Sequence, residues 1–534
     1  MTAPVTRDGS DAGLAPRAIG LREVLFQSVT AMAPAGALAV SVVVGATFAG
    51  GALTLAVIFA FIPCLTVAIS IGQLAKHLPS AGSIYTYPAR ALHPTVGFLV
   101  GWGYALAAAT WGPTIALMTS VQIAGVMTPG GGKAYQVVWI ATFVAAAIVV
   151  LLLGYYGVQV SARVGTILGA IEICIFLFLA AWLIAVAGPT NTRAPFGLGL
   201  ATVKGYEGIL GVFAAAVYTV QAFVGFEAAA PLAEEARDPK RTIKRATVSA
   251  CVVIGVFYVI TTYAATIVFG PGHFQEFAAS LELGSPWYAL ARSVWGVGWL
   301  LVFLAVLNSN FAGQNAFSNA STRTWYAMAR IRLLPGALSR THPRWRSPHI
   351  AVLVQFVYTL ALGAIFGGFF GPVNGFILLA TLCTAIPIGV YILINVSCVV
   401  YYLRDRPAEF HWLIHGVLPV VGAVFLTPVL LTALGLGGSV LKFVTPLPYP
   451  IRLCAPILGG WYIFGILYLV YLLARHPERL KETTRIFLQS HNCCVGASRR
   501  EFTYFRVARD SLAYSSSLPL SSGIKKTVAM MSRT

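Results

Sequence analysis

The chain has 534 residues, of which 58% are hydrophobic and only 10% charged, whereas an ordinary soluble domain has roughly 25% charged residues. This composition excludes a soluble enzyme, a disordered protein and a secreted disulfide scaffold, and the long continuous apolar runs argue against an outer-membrane barrel. The net charge of +19 does not indicate a nucleic-acid partner, because the basic residues lie mainly in short loops and the C-terminal tail, where they set topology and contact membrane lipid.

Twelve apolar runs are each long enough for a membrane-spanning helix, which requires about 20 residues. In chain order, the predicted spans are 22–46, 52–75, 94–127, 136–155, 162–187, 206–230, 246–270, 290–328, 348–369, 374–403, 412–434 and 455–474. The third, eighth and tenth runs are the longest, so we expect these helices to be tilted, kinked or extended beyond the hydrocarbon layer. The sequence therefore predicts an all-α integral membrane protein.

The segments outside the spans indicate the orientation. Residues 1–21 and 475–534 flank the twelve-span domain at 22–474, and the tail carries eleven Lys/Arg and four Asp/Glu. We expect this tail to be solvated and disordered. With the N-terminus inside, the predicted cytoplasmic loops contain fifteen Lys/Arg and the opposite loops six. By the positive-inside rule, both termini are predicted to be cytoplasmic.

The first span is interrupted at residues 33–36, Ala-Pro-Ala-Gly. Proline removes a backbone donor and clashes with the preceding turn, and glycine weakens a helix and permits close approach. Taken alone, this motif is consistent with a kink that serves helix packing. As a break, it would expose free N–H groups at the start of a half-helix, which favour an anion such as a carboxylate.

The sixth span has its own interruption at residues 222–227, Ala-Phe-Val-Gly-Phe-Glu. If spans 1–5 and spans 6–10 are two halves of opposite topology, the two breaks occupy corresponding spans, a pattern that indicates a transporter site. Free carbonyls at the end of the first half of span six would accept an ammonium group. An α-amino acid carries both charges, so the two broken helices could hold it through the backbone.

Five motifs resemble amino acid permeases of the amino acid–polyamine–organocation superfamily. They occur at family spacing within residues 20–485, and the motif of span six is the most specific. The matching stretches are 79–87, 161–164, 222–227, 233–243 and 326–335. The resemblance implies twelve helices, with inverted five-helix repeats over 22–187 and 206–403 and two further helices over 412–474. It also implies secondary active transport of an amino acid across the plasma membrane by alternating access.

In this family the substrate lies between broken helices one and six. By resemblance, three residues of span one would meet the substrate carboxylate: Ala33, Ala35 and Gly36. Three residues of span six would meet the amino group or gate the site: Ala222, Phe223 and Gly225.

Two carboxylates stand out within predicted spans, where an ionisable group is costly and indicates a functional site. Glu172 lies in the middle of span five, and Glu227 follows the break in span six. We expect Glu172 to bind and release the coupling proton, with a proton favoured over sodium. Glu227 resembles a glutamate linked to proton sensing or gating in some relatives. The alternative for Glu172 is a structural hydrogen bond to a neighbouring helix, and for Glu227 it is a structural hydrogen bond to the unwound backbone of span one or its neighbours.

Other functions remain open from the sequence. An exchanger, or a carrier of an amine or polyamine, fits the same motifs, and a ligand sensor without transport would share the binding site. A membrane-embedded enzyme is disfavoured, because the chain has no HExxH motif, no Ser/His/Asp set and no nucleotide-binding GxxxxGK[ST] loop. The eight cysteines lack metal-ligand spacing. We therefore expect no metal and no cofactor.

Overall fold

The computed structural model describes residues 20–78, 83–129, 131–157, 162–234, 236–330, 334–345, 347–436 and 445–475. The predicted N-terminal segment, apart from residues 20 and 21, and the predicted tail after Arg475 lie outside these described residues.

Seventeen α-helices, joined by short 3-10 and π turns, account for the regular structure of the described residues. They are α1 Leu21–Met32, α2 Pro34–Ala37, α3 Val43–Ala49, α4 Leu53–Leu74, α5 Ser83–Ala91, α6 Pro94–Met127, α7 Gly132–Tyr156, α8 Ala162–Ala187, α9 Ile209–Phe223, α10 Pro239–Phe269, α11 Pro286–Trp295, α12 Trp299–Arg330, α13 His349–Leu362, α14 Gly368–Phe370, α15 Pro372–Asp405, α16 Leu418–Ala433 and α17 Cys454–Arg475.

The all-helical architecture predicted from the sequence is confirmed for the described residues. Ten helical segments among the described residues are long and apolar enough to cross a membrane. The first, Leu21–Leu74, is 54 residues long and contains the first two predicted spans. Helix α6, the predicted third span, is not one of the ten, although it has 34 residues. It is rich in Gly, Ala and Thr rather than in large aliphatic residues, because most of it is buried inside the protein.

The predicted eighth span at 290–328 is two helices rather than one. Helix α11 ends at Trp295, a 3-10 turn covers Gly296–Gly298, and α12 begins at Trp299. Gly296 has a φ of +55°, a backbone conformation that glycine adopts without a steric penalty. The apolar run continues through this turn, so hydropathy alone does not reveal the interruption.

Helix packing places the two interrupted spans in the interior. Helix α1 contacts α8, α10 and α12, while α9 packs against α3, α4 and α15. The long helix α6 contacts α7, α12 and α15. Helices α6, α8, α10, α12 and α15 lie around the C-terminal ends of α1 and α9 and supply side chains of the candidate site.

Candidate functional site

The first span breaks at a single residue. Helix α1 ends at Met32, Ala33 adopts a left-handed conformation with φ 44° and ψ 62°, and α2 begins at Pro34. Ala33 is the one non-glycine residue with a positive φ in the described part of the chain. Proline suits the first position of α2, because its fixed φ is helical and its missing N–H would be unpaired there. The sequence motif at 33–36 thus produces a sharp break at Ala33.

The first turn of α2 is held by a buried carboxylate. The backbone N–H of Ala35 faces the carboxylate of Glu172, a residue that is only 3% exposed. Asn308 Nδ2 and Ser309 Oγ donate to the same carboxylate at 3.2 and 3.1 Å. Glu172 therefore connects α8, its own helix, with the start of α2 and with α12.

The second break lies at the end of α9. This helix ends at Phe223, Gly225 follows with a φ of +123°, and a 3-10 segment covers Phe226–Glu234. The Gly225 N–H donates to Glu227 Oε2 at 2.9 Å, and the Tyr391 hydroxyl donates to the same oxygen at 2.8 Å. Glu227 is 1% exposed, so this break also has a buried carboxylate as a partner.

The two breaks touch each other. A Cβ atom added to Gly225 would lie 2.7 Å from the carbonyl carbon of Ala31 and 2.7 Å from the nitrogen of Met32. Only a residue without a side chain permits this approach of backbone to backbone. The hydroxyl of Ser28 on α1 also donates to the Phe226 carbonyl at 2.8 Å. The end of α1 and the break after α9 are therefore packed as one unit.

A cavity of about 50 Å³ lies beside this unit, with room for several water molecules. Among its lining residues are Ala33, Gly36, Gln221, Val224 and Asn310, and aromatic or aliphatic side chains of α6, α12 and α15 complete the wall. No charged side chain of the described residues lines it. The cavity is therefore suited to a small ligand whose charges are met by backbone groups.

The six residues predicted to meet the substrate lie in different environments. Ala33 and Gly36 line the cavity, whereas the N–H of Ala35 faces Glu172. The Ala222 carbonyl accepts a hydrogen bond from the Tyr258 hydroxyl at 2.9 Å.

Phe223 and Gly225 lie behind the cavity wall. The ring of Phe223 packs on Phe61 and Tyr258, with centroids 5.9 and 5.5 Å apart. Gly225 faces the end of α1. Both residues thus hold the break in place against neighbouring helices.

Most of the cavity lining was not predicted from the sequence, including Gln221, Val224 and Asn310. Gln221 and Val224 flank two predicted site residues, and Asn310 belongs to a polar stretch of α12. Asn310 Nδ2 donates to Gln122 Oε1 at 2.7 Å, and its own oxygen packs against Gly36. The polarity of Gln221 and Asn310 within their helices was the available signal for a site role.

The sequence of the chain matches a known protein family and several named relatives. The family profile described as amino acid permease matches residues 19–472. The chain is 27% identical over 389 residues to the branched-chain amino acid permease BcaP of Bacillus subtilis, covering 68% of this chain and 77% of that protein. It is 27% identical to the low-affinity putrescine importer PlaP of Escherichia coli, covering 58% and 65% respectively. It is also 27% identical to mouse cationic amino acid transporter 4, covering 65% and 55%. These relatives are transporters and not enzymes.

Replacing Gly225 by alanine is expected to destabilise the protein. The added Cβ would clash with the backbone of α1, and the φ of +123° is strained for any L side chain, at a cost on the order of 1–3 kcal/mol. A lower thermal midpoint of the detergent-solubilised protein is the expected result. Gly389→Ala in α15 is the control, because no atom lies within 4 Å of the added methyl group. Equal midpoints for the two variants would contradict the proposed contact between the breaks.

Ala33 allows a second test of the break. Ala33→Gly should leave the thermal midpoint nearly unchanged, because relief of the left-handed strain is offset by the greater freedom of glycine in the unfolded chain. Ala33→Val should lower the midpoint, since a β-branched residue is poorly tolerated at positive φ. If valine were tolerated as well as glycine, Ala33 would not have the left-handed conformation.

Proposed function

The chain belongs to the amino acid permease family, and on that premise we propose that it is a secondary active transporter that moves an amino acid across the plasma membrane. The observation that carries this proposal is the contact between two broken helices beside a cavity that no charged side chain of the described residues lines. Such paired breaks supply backbone groups for both charges of an amino acid. The profile match over residues 19–472 supports the same function.

The proposed transporter crosses the membrane twelve times. The segment Leu21–Leu74 is about 80 Å long at 1.5 Å per residue, more than twice the hydrocarbon thickness of about 30 Å. It therefore has the length for two crossings, and α6 adds one more. The breaks after α1 and α9 occupy corresponding positions in two inverted repeats, 22–187 and 206–403. The excess of basic residues in alternate loops supports cytoplasmic termini.

We assign the ends of the substrate to the two breaks. Its carboxylate would lie at Ala33 and Gly36, where the first turn of α2 provides a backbone amide and the positive end of a helix dipole. Its ammonium group would lie at the carbonyl end of α9. The Ala222 carbonyl there already accepts one hydrogen bond from Tyr258, and a carbonyl oxygen can accept two.

Glu172 is the proposed proton carrier. When ionised, it accepts hydrogen bonds from Asn308 and Ser309, and the Ala35 amide at the positive end of α2 stabilises its charge. Protonation removes this charge and weakens the attraction between Glu172 and the Ala35 amide. The first turn of α2 then loses its internal anion and can favour the carboxylate of the substrate. Proton binding and substrate binding would support each other through the same short helix.

Glu227 has a proposed gating role at the other break. Its Oε1 has no hydrogen-bond partner among the described residues, while Oε2 holds the Gly225 amide and the Tyr391 hydroxyl. The carboxylate thereby joins the break after α9 to α15. If the broken segment moves during alternating access, the hydrogen bonds of Glu227 must either break or move with the segment.

Uptake of pooled labelled amino acids into sodium-free proteoliposomes tests the function. Accumulation should require an inward proton gradient, because a proton moving down its gradient would drive the substrate. Exchange against preloaded amino acid without net accumulation would identify an exchanger instead. If monodisperse protein showed no uptake and no exchange, proton-coupled amino acid transport would be rejected, and sodium coupling or an amine substrate would be tested next.

Replacing Glu172 by glutamine should abolish accumulation driven by the proton gradient and leave exchange partly intact, because glutamine keeps polar atoms at the site but cannot release a proton. The measurement is gradient-driven uptake beside counterflow in the same proteoliposomes. Glu207→Gln is the matched control. Glu207 is an exposed loop residue whose carboxyl pKa is lowered by the Gly205 amide, so it stays ionised over the assay range. Unchanged accumulation in Glu172→Gln would exclude Glu172 as the carrier.

A further inference from the structure

Gln221 is a buried amide whose polar atoms are not used by the fold. Its side chain is 3% exposed, and neither Oε1 nor Nε2 has a hydrogen-bond partner among the residues that the structure describes. Burying an unpaired polar group is costly, so each such group in a native structure requires an explanation. Gln221 lines the cavity beside the two breaks. A ligand in that cavity is therefore the available partner for its amide.

The other polar groups around the cavity are uncharged. Asn310 is already paired with Gln122, and Ser41 contributes a hydroxyl to the wall. The two buried carboxylates nearby, Glu172 and Glu227, face backbone amides of the two breaks, and neither residue lines the cavity. A charged substrate side chain would therefore be desolvated without a counter-ion, which strongly disfavours binding.

The side-chain amide of Gln221 is also distinct from the backbone groups assigned to the two charges of the substrate. It precedes the break by one helical turn, and Val224, three residues later, lines the same cavity. Residues three apart share a face of a helix. The amide of Gln221 thus belongs to the cavity wall that a substrate side chain would contact.

We infer that Gln221 selects amino acids whose uncharged side chain ends in a hydroxyl or a carboxamide. This inference rests on the proposed function and names the substrate class of the same site. Each of these groups can donate and accept hydrogen bonds, and the amide of Gln221 offers two donors and one acceptor. An aliphatic side chain of equal size would leave that amide unpaired, which is how polar sites reject apolar analogues.

The test compares substrates of matched shape by their stabilisation of the purified protein against heat, from which Kd values follow. The pairs are threonine with valine and asparagine with leucine. Wild-type protein should bind the polar member at least about tenfold more tightly in each pair. Because this comparison needs no substitution, it remains valid even if a variant fails to fold. Equal affinity, or preference for the apolar member, would overturn the inference.

Gln221→Leu and Gln221→Met should remove the preference by weakening threonine and asparagine while retaining valine and leucine. Thr54→Val is the matched control. Thr54 has a buried hydroxyl without a hydrogen-bond partner in the described part of the chain, but it lies on α4 outside the cavity lining. If the binding of all four ligands weakened equally, Gln221 would act on the part that all amino acids share. That result would overturn its role in selection.

The two proposals fail in different ways. Amino acid uptake without discrimination within the pairs would reject selection by Gln221 and leave the transport function in place. Absence of binding and of uptake for every amino acid, in protein that remains monodisperse, would reject the proposed function itself.

Discussion

The structure depends on one constraint: a backbone amide or carbonyl within a membrane must find a partner inside the protein. Spans one and six are interrupted beside the cavity, so each of these breaks releases backbone groups that an unbroken helix would pair. The amide of Ala35 faces Glu172, and the amide of Gly225 donates to Glu227. Hydroxyls from Ser28 and Tyr258 donate to carbonyls at the second break. The breaks are thus satisfied from neighbouring helices, and this decides which helices surround them.

The use of carboxylates as partners has an electrostatic consequence. Neither Glu172 nor Glu227 forms an ion pair with a basic side chain among the described residues. Their partners are amides and hydroxyls, so the hydrogen bonds that stabilise their charge are also contacts that fix the helix breaks. A change of protonation would therefore alter the hold on a break directly. The proposed proton coupling rests on this link between the charge of a carboxylate and the backbone geometry of a break.

Hydropathy and proline or glycine placement were sufficient to predict the long helices and both breaks, since these features depend on local backbone chemistry. The turn at Gly296–Gly298 was not predicted, because apolar residues continue on both sides of it. Partners of the carboxylates were not predictable either. Asn308 and Ser309 lie 136 and 137 residues from Glu172 in the chain, and only helix packing brings them together. Family resemblance identified the segments of the site but not the direction in which each side chain points.

The orientation of α9 about its own axis determines which of its side chains face the cavity. Gln221 and Val224 face the cavity, whereas Phe223 packs on Phe61 of α4. Successive residues of a helix point about 100° apart, so residues adjacent in sequence must serve different faces. The backbone at the breaks can meet the two charges common to all amino acids, and it is insensitive to side-chain identity. For the proposed transporter we therefore assign selection among amino acids to the face that carries Gln221, since the remaining wall is largely apolar and contains no charged side chain of the described residues.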